Sequence, residues 1–351
     1  MGNLLTYGGI ATKIRAMQKN LIKPEDYREL VLLGSVPEAV NYLRTKRAYQ
    51  HLLESIDEAH LHRGDVEAVL VRSLYKDFSK LYRFSGLKQR RFLDMYFRQY
   101  DIILMKFFLR TIFNPTDEAW NPQMAGEFFR KHSTLDLEKL ITAKTVDEFV
   151  SDLSGTEYHK PLMHLSQMEH PTLFDYEMTL DLFYFSYLWK TYHKMFKGKE
   201  LTTLRETYGS MIDLLNIQWI YRAKKYYRIS NADIYALLIP IRFKLKQVQI
   251  AQLVEAADMN EFDHVLQTTY YAKRADELNG AQLESLYNNL IYKMHQLAKR
   301  RNPYSIACIN SYLFEKGQEI DNLTTILESI RYGLTPPHIM KYIIEINYKV
   351  S

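Results

Sequence analysis

The stretch Leu30-Val-Leu-Leu-Gly-Ser35-Val-Pro-Glu38-Ala-Val-Asn-Tyr-Leu43 decides the fold, because two further copies of its pattern follow along the chain. The copies are Leu140-Ile-Thr-Ala-Lys-Thr145-Val-Asp-Glu148-Phe-Val-Ser-Asp-Leu153 and Leu253-Val-Glu-Ala-Ala-Asp258-Met-Asn-Glu261-Phe-Asp-His-Val-Leu266. Each copy has a Leu eight residues before its Glu and another Leu five residues after it. A Ser, Thr or Asp stands three residues before that Glu, at the capping-box spacing of a helix start, so we interpret the Glu as a cap residue. Each copy therefore predicts a helix end, a tight turn and a short capped helix, followed by a tyrosine: Tyr49, Tyr158 and Tyr271.

A second marker follows each copy at a regular distance. Glu67, Glu177 and Glu284 come 29, 29 and 23 residues after the Glu of the capped helix. Each is followed by apolar or aromatic residues three, seven and eight positions later, which is the spacing of one buried stripe on a helix. The second marker therefore predicts the start of a long amphipathic helix in each copy.

The third marker is an acid that comes 34, 36 and 35 residues after the second marker: Asp101, Asp213 and Glu319. In the first two copies a base follows nine residues later, at Arg110 and Arg222. We interpret this acid and base as charges near the start and the end of one helix, where they complement its dipole. A functional ion pair between them is the alternative interpretation.

The three copies of this third marker are not equivalent. Asn216 and Asn322 stand three residues after the acid in the second and third copies, but Leu104 occupies that position in the first. Glu328 stands in the third copy where the others have arginine. A partial fourth copy, Ile14-Arg15-Ala16-Met17, lies near the N-terminus.

Three markers in the same order predict an all-α protein built by threefold internal duplication, with repeats of about 110 residues that could each hold a core. We expect repeats at residues 1–96, 97–208 and 209–317. The remaining segment, 318–351, is expected to hold closing helices that pack near the N-terminus, beside the partial fourth copy.

The composition agrees with an ordered helical protein. The 351 residues are 47% hydrophobic and 25% charged, with a net charge of +5, which excludes a disordered chain. Gly and Pro make up only 23 residues, so the chain has too few turn formers for a β-sandwich or barrel. A single cysteine, Cys308, excludes an internal disulfide, indicates a reducing compartment, and lies in an apolar context that predicts a buried, inert thiol.

The sequence predicts neither a membrane span nor an active site. Its most apolar stretch, Met178 to Trp189, is too short to cross about 30 Å of hydrocarbon, and the first residues do not form a secretory signal. Phosphate loops, dinucleotide loops and hydrolase or metalloprotease motifs are absent from the sequence. His159, His164 and His170 are interpreted as exposed loop histidines rather than metal ligands, so no catalytic, cofactor or metal residue is predicted.

Charge alternates along the chain. Residues 80–110 and 190–228 are rich in bases, whereas 136–181 and 255–284 are rich in acids. A nucleic-acid-binding protein would more usually carry one uniformly basic face. The alternation favours a protein that presents different surfaces to different protein partners.

The C-terminal part of the chain resembles a known family. Asn302-Pro-Tyr-Ser-Ile-Ala-Cys-Ile-Asn-Ser-Tyr312-Leu-Phe-Glu315-Lys316-Gly-Gln-Glu319-Ile-Asp-Asn322-Leu, followed by Ile330-Arg-Tyr-Gly333-Leu-Thr-Pro-Pro-His-Ile339, resembles the signature of the C subunit of the prokaryotic (archaeal, A-type) V-type ATPases. The eukaryotic relative is called the d subunit. The opening Tyr7-x-x-Ile-x-x-Lys13-Ile-Arg15-Ala16-Met17 and the Asp213…Asn216…Arg222 helix are similar to the same family, so the resemblance covers nearly the whole chain.

This resemblance implies a funnel of three pseudo-threefold-related helical domains around a central cavity. It also implies a non-catalytic adaptor of the central rotor, which links the central stalk to the membrane proteolipid ring and passes torque for ATP-coupled proton or sodium transport. Such an adaptor is peripheral, on the cytoplasmic face of the membrane, and binds neither cofactor nor nucleic acid. The alternative is a helical-repeat scaffold for other soluble proteins or nucleic acid. The candidate structural or partner-contact residues are Arg15, Asp101, Arg110, Asp213, Asn216, Arg222, Glu319 and Asn322.

Overall fold

All regular secondary structure in the described residues is helical. The computed structural model describes residues 2–54, 63–115, 126–274 and 283–343, and none of these ranges contains a β-strand. The all-α prediction is confirmed for this part of the chain. The helices of 17 residues or more are α1 (Gly2–Gln18), α5 (Arg63–Arg83), α6 (Leu87–Phe113), α11 (Leu173–Met195), α12 (Gly198–Arg222), α16 (Leu283–Arg301) and α17 (Ile306–Arg331).

Shorter helices connect the long ones. They are α2 (Pro24–Leu30), α3 (Val36–Arg44), α4 (Gln50–Leu53), α7 (Gly126–His132), α8 (Leu137–Thr142), α9 (Val146–Asp152), α10 (His159–Ser166), α13 (Asn231–Leu237), α14 (Gln247–Glu255), α15 (Met259–Gln267) and α18 (Pro336–Met340). A π-helical turn, Ala223–Tyr227, follows α12, and a short 3₁₀ turn, Ala272–Arg274, follows α15.

The three predicted capped helices are α3, α9 and α15. Their N-caps are Ser35, Thr145 and Asp258, and each side chain accepts the backbone N–H of the Glu three residues later, at 3.4, 3.2 and 2.8 Å. In return the three Glu carboxylates accept the backbone N–H of the residue four positions before, at 2.9, 2.8 and 2.6 Å. Four N–H groups at a helix start have no partner inside the helix, so this exchange of bonds fixes where each helix begins. The cap role of Glu38, Glu148 and Glu261 is confirmed.

The long helices predicted by the second marker are α5, α11 and α16. Glu67 and Glu177 each lie four residues after the first residue of their helix, and α16 begins at Leu283, although the side chain of Glu284 lies outside the described residues. In α5 the apolar stripe is buried, with Leu70 1% and Leu74 3% exposed. In α11 Leu180 is buried, but the next stripe residues, Tyr184 and Phe185, are only half-buried.

The described residues form two compact units. Unit 1 comprises the described parts of Met1–Arg90, Asn121–Lys131 and His295–Ser351, and unit 2 those of Arg91–Trp120 and His132–Met294. The predicted repeat boundaries near residues 96, 208 and 317 stay a prediction, and residues 344–351 of the predicted closing segment lie outside the described residues.

In unit 1 the two ends of the chain share one core. Helix α17 packs against α1, α3 and α5, and α18 packs against α17. The buried cluster joins N-terminal residues such as Tyr27 and Val40 to C-terminal residues such as Leu323 and Ile326, all at most 1% exposed. Cys308 lies in α17 at 4% exposure, and burial raises the pKa of its thiol to about 11. Its prediction as a buried thiol is confirmed, and the high pKa keeps it protonated at neutral pH.

In unit 2 the long helix α12 packs against α11, α13 and α14, and α10 packs against α9 and α11. Aromatic rings fill the contact between α11 and α12, where Tyr192 and Tyr208 are stacked with centroids 5.5 Å apart. One sequence interpretation is wrong here. His159 and His164 belong to the short helix α10, whereas only His170 lies in a connection, where it adopts a positive φ of 53°.

Candidate functional site

Three long helices each carry a fully buried acid near the middle. Asp101 lies in α6, Asp213 in α12 and Glu319 in α17, and all three residues are 0% exposed. The interpretation of Asp101 and Asp213 as charges near helix starts is therefore wrong. Each acid accepts a hydrogen bond from one of the three tyrosines that follow the capped helices, and we call each such pair, with its neighbours, a junction.

The first junction joins α6 to the segments around α9. Asp101 accepts the hydroxyl groups of Ser133 at 2.6 Å and of Tyr158 at 2.9 Å. It also accepts the guanidinium of Arg98, one turn earlier in α6, at 3.0 Å, and Arg98 pairs with Glu157 at 3.1 Å. Burial raises the pKa of Asp101, and these donors oppose that shift. Burial and the nearby Asp101 raise the pKa of Tyr158, so its hydroxyl stays protonated and donates.

The second junction joins α12 to the segment between α13 and α14. Asp213 accepts the hydroxyl of Tyr271 at 2.7 Å and three consecutive backbone N–H groups, of Phe243, Lys244 and Leu245, at 3.0, 2.6 and 2.8 Å. Burial raises the pKa of Asp213, and the four donors oppose the shift. An isolated buried carboxylate is very costly, and here backbone N–H groups supply the compensation that a cation gives in the first junction.

Asn216 fastens the same segment one turn further along α12. Its side chain donates to the carbonyl of Ile239 at 3.1 Å and accepts the N–H of the same residue at 2.9 Å. Gly209 allows the close approach, because a Cβ at this position would lie 2.6 Å from Cγ of Phe243. Three residues of α12, Gly209, Asp213 and Asn216, thus position the segment before α14.

The third junction joins the two ends of the chain within unit 1. Glu319 accepts the hydroxyl of Tyr49 at 2.6 Å, the backbone N–H of Ile22 at 2.6 Å and the ammonium of Lys316. Lys316 is only 1% exposed, and it also donates to the hydroxyl oxygen of Tyr49 at 3.0 Å. The junction thus binds α17 to the segment after α1 and to the turn before α4.

Glu315, one turn earlier in α17, is also fully buried. It accepts Gln18 of α1 at 2.6 Å, Gln296 of α16 at 2.8 Å and Lys299 of α16 at 2.9 Å. Two carboxylates of α17 therefore tie it to N-terminal segments: Glu315 to α1, and Glu319 to the residues after α1 and to the turn before α4.

The sequence did not reveal the bonds within the junctions. The three acids and the three tyrosines were found as separate markers, but their pairing requires contacts across 57, 58 and 270 positions. Arg98, Lys316 and Glu315 were missed. A base three residues before the acid, as in Arg98-x-x-Asp101 and Lys316-x-x-Glu319, is a local signal that could have found the two cations.

The candidate contact residues fall into two groups. Asp101, Asp213, Asn216, Glu319 and Asn322 are at most 1% exposed, so their side chains hold the fold and present no surface in this structure. The other three are exposed: Arg15, Arg110 and Arg222.

The two acid–base pairs considered from the sequence are not made. Arg98, rather than Arg110, pairs with Asp101, whereas Arg110 pairs with Glu177 at 2.5 Å. Asp213 is held by Tyr271 and by backbone N–H groups rather than by Arg222. Arg110 and Arg222 do lie in the last turns of α6 and α12, where a base complements the helix dipole.

The described part of the chain contains neither a metal-binding cluster nor a membrane span. No group of three or more His, Cys, Asp or Glu side chains there is arranged to hold a metal ion. Among the same residues, no helix combines the length and the apolar composition needed to cross a bilayer.

Comparison with known proteins gives a consistent family. The family model described as ATP synthase (C/AC39) subunit matches residues 10–342. The chain belongs to this ATP synthase C/AC39 subunit family. Its membership confirms the resemblance noted in the C-terminal residues.

Similar family members are archaeal. The C subunit of the A-type ATP synthase of Methanocaldococcus jannaschii is 24% identical over 357 residues, covering 98% of this chain and 88% of that protein. The C subunit of the Methanosarcina mazei enzyme is 25% identical over 338 residues, covering 94% and 90%. That of Pyrococcus abyssi is 23% identical over 344 residues, covering 95% and 89%. Low identity over nearly full length means that the family is shared although most side chains differ.

Within this C/AC39 family member, the stretch that carries the resemblance is the helix of the third junction. Residues 306–331 form α17, and Tyr312, Glu315, Lys316, Glu319 and Asn322 of that stretch are all buried. Part of the stretch that carries the resemblance therefore also joins the two ends of the chain.

Proposed function

We propose that this chain is a non-catalytic adaptor in the central rotor of a rotary A/V-type ATPase, linking the central stalk to the membrane proteolipid ring and transmitting torque. The observation that carries the proposal is the family match over residues 10–342, together with relatives named as the C subunits of A-type ATP synthases. The adaptor acts at the cytoplasmic face of the membrane as a peripheral part of the complex, during ATP-coupled transport of protons or sodium.

The junctions support a mechanical role. An adaptor that passes torque must resist shear between its helices, and a buried charged network resists shear because displaced donors and carboxylates would be left unsatisfied. Asp101, Asp213 and Glu319 place such networks near the middle of three of the longest helices.

The junctions also support the proposed threefold architecture. In each, an acid of a long helix accepts a tyrosine that follows a capped helix, and two of the three have nearly equal separations of 57 and 58 residues. The third uses Tyr49 and Glu319, so that the last long helix takes the partner supplied by the first capped helix. We propose three related domains arranged as a funnel whose cavity receives the stalk.

The exposed arginines Arg15, Arg110 and Arg222 are the proposed contacts with the stalk or the ring. Exposed charges mainly steer association and set partner choice, so their replacement is expected to weaken assembly without unfolding the chain. Lys19, exposed just after α1 and outside the residues proposed for contact, provides a matched control for Arg15.

The test is reconstitution of the full chain with stalk proteins and a proteolipid ring from one source. The expected results are co-purification with both, release from membranes by high salt or alkali without detergent, and a funnel of three domains in low-resolution images. Arg15→Glu and Arg222→Glu are expected to lower recovery of the complex, whereas Lys19→Glu is not. Recovery only with detergent would overturn the proposal. Steep salt-dependent binding to RNA or DNA without binding to stalk proteins would favour the scaffold alternative.

A further inference from the structure

A cavity of about 310 Å³ in unit 1 has a strongly basic lining. It lies between α1, α5, α17 and the segment joining α3 to α4, and these four elements place five cationic side chains around it. A single acid lines the same cavity. The charged lining residues are Lys13, Arg47, Lys76, Asp77, Lys80 and Lys316.

Ion pairs between described residues neutralise two of the five cations. Lys80 pairs with Asp77 at 2.8 Å, and Tyr312 donates its hydroxyl to the same carboxylate. Lys316 pairs with Glu319 in the third junction. The other three cations, Lys13, Arg47 and Lys76, have no carboxylate partner among the residues that the structure describes.

These three cations come from separate elements. Lys13 lies in α1 with its ammonium 5.2 Å from the Phe84 ring centroid, Arg47 lies between α3 and α4, and Lys76 lies in α5. Three like charges around one cavity repel each other, and a bound anion would remove that repulsion. Because all three residues line one cavity of about 310 Å³, the matching anion concentrates its charge in a small volume. A phosphate group meets this requirement better than separate carboxylates of a peptide.

We propose that this cavity binds a small phosphorylated anion carrying at least two negative charges. Its volume falls within the range of about 300–1,000 Å³ that is typical of small-molecule sites. Arg47 would supply a planar fork of donors, whereas Lys13 and Lys76 would act as point charges. Since α1, α5 and α17 all line the cavity, the anion would also bridge the two ends of the chain that the third junction joins.

The test is titration of the full-length chain with tripolyphosphate at low ionic strength, followed by calorimetry. We expect saturable binding of one anion per chain, weakening as salt rises, and a higher melting temperature in its presence. Arg47→Ala and Lys76→Ala are each expected to lower the affinity about tenfold or more, because each removes one charge-assisted contact. Lys19→Ala removes an exposed base outside the cavity and is expected to leave the affinity unchanged.

Circular dichroism spectra of each variant test whether a loss of affinity is caused by a loss of folded structure. Two results would overturn the proposal: an absence of saturable binding, or equal affinity in the wild type and in an Arg47→Ala/Lys76→Ala double variant. A poly-glutamate peptide that binds more tightly than tripolyphosphate and displaces it would also overturn it, and would assign the cavity to an acidic protein segment. The isolated chain is sufficient for these measurements, so their failure leaves the rotor proposal untouched.

Discussion

Replacing Glu319 by glutamine tests how much the third junction contributes to joining the ends of the chain. The substitution keeps the shape of the side chain but leaves the ammonium of Lys316, at 1% exposure, without its counter-charge. Removing one partner of a buried ion pair typically costs about 3–5 kcal/mol. Because whole-protein stabilities are about 5–15 kcal/mol, we expect Glu319→Gln to remove a large share of the free energy of unfolding of unit 1.

Glu319 and Lys316 are expected to contribute to stability as a coupled pair. Lys316→Met alone leaves a buried carboxylate with only the Tyr49 hydroxyl and the Ile22 N–H, so it is expected to cost a similar amount. The double variant carries no buried charge in this pair. It is expected to be more stable than either single variant, since well-packed neutral residues often replace a buried pair at little cost. A double-mutant cycle then gives a coupling energy of about 3 kcal/mol or more.

The assay must report on unit 1. The two tryptophans that the structure describes, Trp189 and Trp219, both lie in unit 2, so tryptophan fluorescence is a poor reporter of unit 1. Native-state hydrogen exchange of peptides from α17 is a direct measurement, and a loss of about 3–5 kcal/mol corresponds to roughly 10²–10⁴-fold faster exchange. Glu25→Gln, an exposed acid in α2, is the control and is expected to change stability by less than about 0.5 kcal/mol. Additive effects of the two substitutions, or a Glu319→Gln effect no larger than that of Glu25→Gln, would refute the reasoning.

Three further predictions concern single positions. Gly209→Ala places a Cβ 2.6 Å from Cγ of Phe243 and is expected to destabilise unit 2 by about 1–3 kcal/mol in urea unfolding, despite the better helix propensity of alanine. Burial raises the pKa of Asp213 above the ordinary 3.8, so the folded state binds the extra proton, and stability is lost as pH rises from 3.8 through the raised pKa. The free energy of unfolding of the wild type, relative to that of Asp213→Asn, is therefore expected to fall as pH rises over that window. His295 is buried against Phe314, and burial lowers its pKa from 6.5 to about 3, so stability is lost as pH falls below 6.5; His295→Phe is expected to remove about 1.4 kcal/mol per pH unit from that slope.

Each of these predictions has a control or an outcome that would contradict it. Gly317 lies inside α17, and a Cβ added there would meet no neighbouring atom within 4 Å, so Gly317→Ala is expected to stabilise by up to about 1 kcal/mol. Equal effects at the two glycines would contradict the steric argument. In Asp213→Asn the lost hydrogen bonds lower the free energy of unfolding by an amount that does not vary with pH. A difference between wild type and variant that stays constant over the pH window would therefore contradict the raised pKa. For His295→Phe, a stability slope below pH 6.5 identical to that of the wild type would contradict the lowered pKa.

Local features of the fold were predictable because their causes are local. The starts of α3, α9 and α15 depend on a cap residue and a Glu three positions later, and these bonds are made within four residues. The stripes of α5, α11 and α16 depend on spacing along one helix, which the sequence displays directly. The buried state of Cys308 followed from its apolar neighbours.

The junctions were not predictable in the same way. Without knowledge of its partner, an acid in the middle of a helix is interpreted as a surface charge. The tyrosine partners of Asp101 and Glu319 lie 57 and 270 positions away. The placement of Asp101 and Asp213 near helix starts was wrong for this reason, since helix length could not be read from the acid alone. The three acids occur at the same position of the sequence pattern. This regularity was the available signal that they do more than complement a helix dipole.

The three junctions differ in the groups that stabilise the buried acid. A buried carboxylate needs either a cation or several N–H donors, and the position three residues before the acid holds Arg98 in the first junction and Lys316 in the third. In the second, Ser210 stands there and three backbone N–H groups of the loop after α13 act instead. Helix α12 has no base at that position, and the loop supplies the donors, whereas an acid and a tyrosine occur in all three junctions. The common part of the junctions is thus the bond that joins one element to another, and the variable part is the group that completes the solvation of the acid.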